Sequence, residues 1–121
     1  MSKNVQPEYG MRMFTDSEIA NQFVENFVFS VVKREVEAFM RRNRILFTKT
    51  SIRIKNTMCH YIERPATRCF DIVVSYTLFN VKKQVTLREM LGASEGDINS
   101  PGVVVIYRID RENEYRRAFF K

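Results

Sequence analysis

Apolar residues recur every three or four positions from Ala20 to Met40, with no Gly or Pro between Asp16 and Arg42. This spacing predicts an amphipathic helix from Asp16 to about Arg42. Its start has the form of a capping box: Thr15 caps, Glu18 reaches back to the cap amide, and Phe14 staples onto Ile19. Asp16, Glu18 and Glu25 come early and Arg41 and Arg42 late, as the helix dipole favours. At 1.5 Å per residue such a helix is about 40 Å long, against a radius of gyration of roughly 14 Å for a domain of this size. On a wheel of 100° steps Ala20, Phe23, Val24, Phe27, Val28, Val31 and Ala38 share one arc, the face expected to meet the core. Phe29, Val36 and Met40 fall on the opposite side. Large apolar residues repeated on an outer face predict either a second layer of the same protein or a partner surface; on the second reading these three form the expected association interface.

After Asn43 the period changes to two. Ile52 and Ile54 alternate with Ser51, Arg53 and Lys55, which predicts a strand with one positive face. From Phe70 to Phe79 the residues Phe70, Ile72, Val74, Tyr76 and Leu78 share one side, the clearest strand in the chain. Asn80 with Lys82 and Lys83 predicts a turn or a short edge strand. Thr86 and Glu89 repeat the capping-box spacing and Gly92 supplies a stop, predicting a short helix from Leu87 to Leu91. Ala93 to Gly102 carries turn chemistry. Val103 to Ile109 predicts an interior strand, and Tyr115 to Lys121 a final strand folding back on it as a hairpin. The expected fold is therefore α+β: one long N-terminal helix on a mostly antiparallel sheet of four to five strands, with a short helical insertion and a C-terminal hairpin.

The chain has 121 residues, enough for one core and not for two. A single domain over 1–121 is expected, with residues 1–13 as an extended N-terminal tail that could lie over the apolar helix stripe. No apolar run approaches the ~20 residues of a membrane span, and the N-terminus lacks the apolar region of a secretory signal. The expected location is intracellular, in cytoplasm or nucleus. Cys59 and Cys69 are too few for a disulfide framework and predict free thiols. His60, the only histidine, adjoins Cys59, but neighbouring residues on a strand point to opposite faces, so no metal site is expected. Phosphate loops, nucleophile elbows and paired helical histidines are absent from the sequence. Glu63, Asp71 and Glu89 could converge, yet their spacing requires no catalysis. The expectation is a protein without catalytic residues, cofactor or small-molecule substrate.

Charge changes this picture most. Residues 39–68 hold Arg41, Arg42, Arg44, Lys49, Arg53, Lys55, Arg64 and Arg68 against Glu63 alone, a net of +7, while the whole chain carries +6. Eight cations exceed what a helix C-terminus needs, and they form the expected contact for nucleic acid or an acidic partner. Phe39, Phe47 and Tyr61 are the only aromatics within the segment, which favours backbone contacts over base stacking. Neutralising about six phosphates would give a log–log salt slope of roughly −5 on duplex DNA. Two functions follow: a non-enzymatic assembly or adaptor protein that binds itself or another protein through Phe29, Val36 and Met40, or a basic module that contacts DNA or RNA phosphates through residues 41–68. A long capped helix leading into an antiparallel sheet that ends in a hairpin is similar in architecture to small virion-assembly and phage tail-completion proteins. That likeness implies a viral structural, virion-associated role, and no motif accompanies it.

Overall fold

The computed structural model describes residues 9–57, 68–95 and 102–121. Five strands, β1 (Tyr9–Phe14), β2 (Ile52–Thr57), β3 (Arg68–Leu78), β4 (Val81–Glu95) and β5 (Val103–Arg108), form one sheet in the order β1-β5-β4-β3-β2. Every neighbouring pair is antiparallel. The α+β class with a five-stranded antiparallel sheet is as expected, but three parts of the expected fold are not.

First, the helix is not N-terminal. Residues 9–14 pair with β5 as an edge strand before the helix begins, with Met11 opposite Ile106 and Met13 opposite Val104. Gly10 permits this pairing, because the Tyr107 ring lies where its Cβ would be, 2.5 Å away. The helix that follows has three consecutive parts, α1 (Ser17–Asn26), a π-helical segment (Phe27–Val32) and α2 (Lys33–Arg42). Asp16, not Thr15, caps it: its carboxylate accepts from the Ile19 amide at 2.9 Å. Phe14 meets the Phe23 ring at 5.1 Å, and Ile19 stays 46% exposed.

Second, Leu87–Leu91 is not helical. It belongs to the 15-residue β4, whose inner face buries Leu87, Glu89 and Leu91. Thr86 and Glu89 imitate a capping box, and the acid at Glu89 hides the period of two that Val85, Leu87 and Leu91 would otherwise display. Phe79 and Asn80, at φ of 51° and 65°, make the two-residue turn between β3 and β4.

Third, the C-terminal element is a helix, α3 (Glu112–Phe119), and no C-terminal hairpin forms. Asp110 accepts from the Glu112 amide at 3.0 Å, Glu112 pairs with Arg116 one turn on, and Tyr115 and Phe119 at i and i+4 face the core. Phe119 is fully buried between Phe39, 5.5 Å away, and Tyr76, 5.0 Å away. Helix burial thus overrides the weak strand pattern of the last seven residues.

The helices cover one face of the sheet, and the core between them holds Val28, Val32, Val36, Phe39 and Met40 against Phe70, Ile72, Val74 and Val105. The π segment decides which helix residues reach it. A π turn takes one residue more than an α turn, so every later position moves by about one step, roughly 100°, on the wheel. Ala20 and Val24 are buried before it, Phe27, Val28 and Val32 within it, and Val36, Phe39 and Met40 after it. Its sequence, FVFSVV, is aromatic or β-branched except at Ser30, a run of modest helix propensity. No helix of the described residues is long and apolar enough to cross a membrane.

Candidate nucleic-acid interface

α2 ends in a Schellman motif: the Ile45 amide donates to the Met40 carbonyl at 2.9 Å and the Arg44 amide to Arg41 at 3.3 Å. Arg44 occupies the left-handed position, at φ of 57°, where glycine is usual. Ile45 is buried, which anchors the exit of the chain and leaves Arg41 and Arg44 exposed. Leu46 then bridges to Thr77 of β3 through two backbone bonds of 3.0 Å, and a turn closed by the Ser51 amide on the Thr48 carbonyl presents Lys49. The Thr48 hydroxyl bonds those of Thr50 and Ser51.

Two open hollows adjoin along this connection and share Leu46, Phe47 and Thr48 as their common wall. One, of about 540 Å³, is lined by Arg41, Arg44 and Lys49, with Glu37 its single acid. The other, of about 300 Å³, is lined by Ser51, Ser75, Thr77, Lys82 and Lys83. The Arg41 guanidinium lies 5.5 Å from the Phe47 ring centre, a cation–π contact that holds it beside the wall. Lys82 lies across from Thr77 and Lys83 from Tyr76. Among the described residues none of these five cations has an ion pair.

The structure divides the eight cations expected from the sequence. Arg41, Arg44 and Lys49 come together. Arg53 and Lys55 stay exposed on the outer sheet face, opposite Val73 and Asp71, and extend the positive surface beyond Ser51. Arg42 turns to Glu112 at 2.9 Å. Arg68 is held by Asn21, Asn56, the Glu25 carboxylate at 3.7 Å and the Phe70 ring. Arg64 lies outside the described residues. Lys82 and Lys83, from a stretch that is nearly neutral overall, are the addition that sequence reasoning missed; only strand pairing brings them to the site.

The expected association interface does not form one surface. Val36 and Met40 are fully buried, because the π segment turns them inward, and Phe29 alone is exposed, at 45%, with its ring edge-on to Phe70. The carboxylates fare similarly: Asp71 faces outward to Arg88 at 3.1 Å, Glu89 faces the core, and Glu63 lies outside the described residues. Cys69 is buried and disulfide-bonded, which corrects the expected free thiol; Cys59 and His60 lie outside the described residues. Among the described residues no group of three or more His, Cys, Asp or Glu is placed to hold a metal ion.

A second concentration of charge is buried. Arg111, just before α3, donates to Glu89 of β4 at 2.6 and 2.9 Å and to Glu35 of α2 at 3.2 Å, and its guanidinium lies 5.2 Å from the Phe27 ring centre. Burial alone would lower the Arg111 pKa, but the hydrogen bonds and charges of Glu89 and the charge of Glu35 raise it. Burial pushes the Glu35 carboxyl above its usual range against the pull of Arg111. Burial, with Glu35 alongside, pushes the Tyr115 hydroxyl up as well. Arg111 and Glu89 have almost no exposed side chain, so this network ties α2, β4 and α3 together in the interior. No family model, curated protein or solved structure matches the chain.

Proposed function

We propose that the protein is a non-enzymatic binding module that takes a nucleic-acid phosphate backbone along the surface formed by Arg41, Arg44, Lys49, Lys82 and Lys83. One observation carries this reading: five exposed cations from two separate parts of the chain line adjoining hollows that, among the described residues, contain one acid and no ion pair to these cations. Helix capping explains Arg41 and Arg44 but neither Lys82 nor Lys83, which stand on a strand. The hydroxyls of Thr48, Ser51, Ser75 and Thr77 add neutral donors of the kind that contact phosphate oxygens. Backbone contact favours affinity without sequence preference.

With Arg53 included, six cations predict a log–log salt slope of roughly −5 on duplex DNA. The test is a titration of labelled duplex between about 50 and 200 mM salt, where six contacts weaken binding by about a thousandfold. Lys82→Glu with Lys83→Glu should weaken binding as strongly as Arg41→Glu with Arg44→Glu, whereas Arg42→Gln, at a cation already paired, should change it little. Binding that ignores salt, or that survives the two lysine changes, would sink the proposal. The assembly reading keeps only Phe29 of its three residues exposed. Its likeness to virion-assembly proteins drew on a C-terminal hairpin whose place α3 takes. A different surface favours self-association.

A further inference from the structure

The two edges of the sheet are built differently. β2 carries Arg53 and Lys55, both exposed, and charges along an edge oppose the addition of another strand. β1 has no proline, lysine or acid. Its outward residues Tyr9, Met11 and Met13 are 58%, 66% and 71% exposed. Arg12, its one charge, lies in the inward register opposite Val105, with its guanidinium 5.2 Å from the Phe23 ring centre and drawn over its own molecule. Half of the β1 backbone groups bond β5, and the alternate half faces away from the sheet. An edge of this kind is a template for a further strand.

We propose that β1 pairs antiparallel with β1 of a second copy about a two-fold axis at Met11, joining two five-stranded sheets into one of ten strands. Parity selects the register. Residues opposite one another in an antiparallel pair share a face, so the axis must pass through a residue rather than between two. At Met11 it sets Met11 against Met11, Tyr9 against Met13 and Gly10 against Arg12. At Arg12 it would oppose two guanidinium groups. Face matching also selects the occupant: pairing β1 with β2 of another copy would set the apolar Met11 and Met13 against Arg53 and Lys55 on the outer face and would leave further edges open, whereas β1 against β1 closes. Continuity adds to this, since Met13 lies level with Val104 and Met11 with Ile106. The join makes an unbroken apolar strip from β5 through both β1 strands to the second β5.

A five-residue pairing, Tyr9 to Met13, is small against a standard interface of roughly 800 Å² per partner, so the dimer should dissociate on dilution. Sedimentation velocity of the full chain, across about 1–500 μM without nucleic acid, reads this directly. The expected mass rises with concentration from 14.4 kDa to twice that value. Met11→Lys puts two ammonium groups at the axis and should weaken dimerisation at least tenfold with circular dichroism and Tm unchanged. Met11→Cys should give an oxidised covalent dimer and Met13→Cys should not. A constant monomer mass overturns the proposal, as does a dimer that survives Met11→Lys but is lost in Phe29→Glu. Cross-linking at Met13 in place of Met11 overturns the register. None of these outcomes depends on binding to nucleic acid.

Discussion

Single residues carry both strain and stability here, and Arg44 carries a measurable amount of the first. A left-handed conformation costs a non-glycine residue roughly 1 kcal/mol, and Arg44 adopts it to close the Schellman motif. Arg44→Gly should therefore stabilise the fold by about 0.5–1 kcal/mol in urea denaturation while lowering the salt slope on DNA by about one. Stability and binding moving in opposite directions would identify a residue kept for its charge; a stability loss would count against the strain argument. Arg111 is the reverse case. Arg111→Ala leaves Glu89 buried without its cation and should cost about 3–5 kcal/mol, whereas Arg111→Met with Glu89→Leu should recover most of that loss. Glu35 adds a pH signature. Its folded-state pKa lies above its ordinary 4.5, so between those two values the folded state holds more protons than the unfolded chain, and stability falls as pH rises. Glu35→Gln does not titrate. Wild type should therefore lose stability relative to that variant as pH rises from below 4.5 through the folded pKa, then run parallel to it. A difference that grows in favour of wild type would refute the role assigned to burial.

At the scale of elements, what could be read from the sequence depended on whether one period ran unbroken through each segment. β3 did, with five apolar residues alternating over its length, and β5 was continuous and β-branched; both were legible. The helix limits were legible too, but not the face it presents. A wheel drawn at one pitch from Asp16 to Arg42 puts Val36 and Met40 outside, and only the π segment brings them in. β4 was hidden by Glu89, whose burial depends on Arg111, a residue 22 positions away that no local pattern reveals. α3 has acids early, arginines late and an i, i+4 aromatic pair, helix signals that compete in the sequence with the apolar residues of Tyr115 to Lys121, which also suit a hairpin strand. The π phase has a direct test in paired substitutions. Val36→Glu should cost on the order of 3–5 kcal/mol by burying a charge. Phe29→Glu should cost about 1 kcal/mol through its partial burial against Phe70. Equal costs by thermal denaturation would mean the helix is continuous in phase and the π segment has no bearing on the core.

Across the whole molecule, the basic surface and the β1 edge occupy opposite sides of one sheet, so neither blocks the other. The basic segment itself was legible as charge, but its division was not: Arg42 and Arg68 are taken up by Glu112 and Glu25, while Lys82 and Lys83 arrive through the register of β3 with β4. If two copies join at β1, their basic surfaces lie five strand spacings apart at Lys82 and Lys83 of β4 and nine at Arg53 of β2, by the strand order. At about 4.8 Å per spacing this is roughly 24–43 Å. Duplex DNA advances 3.4 Å per base pair, so about 7–13 base pairs reach from one surface to the other. Binding should then depend on length in steps. A hairpin duplex of about 6 base pairs engages one surface; one of about 25 spans both and should bind at least tenfold more tightly through effective concentration. Met11→Lys should abolish that step without changing affinity for the short duplex. A step that Met11→Lys retains would mean that monomers bind side by side along the duplex, and that the two surfaces do not act as one.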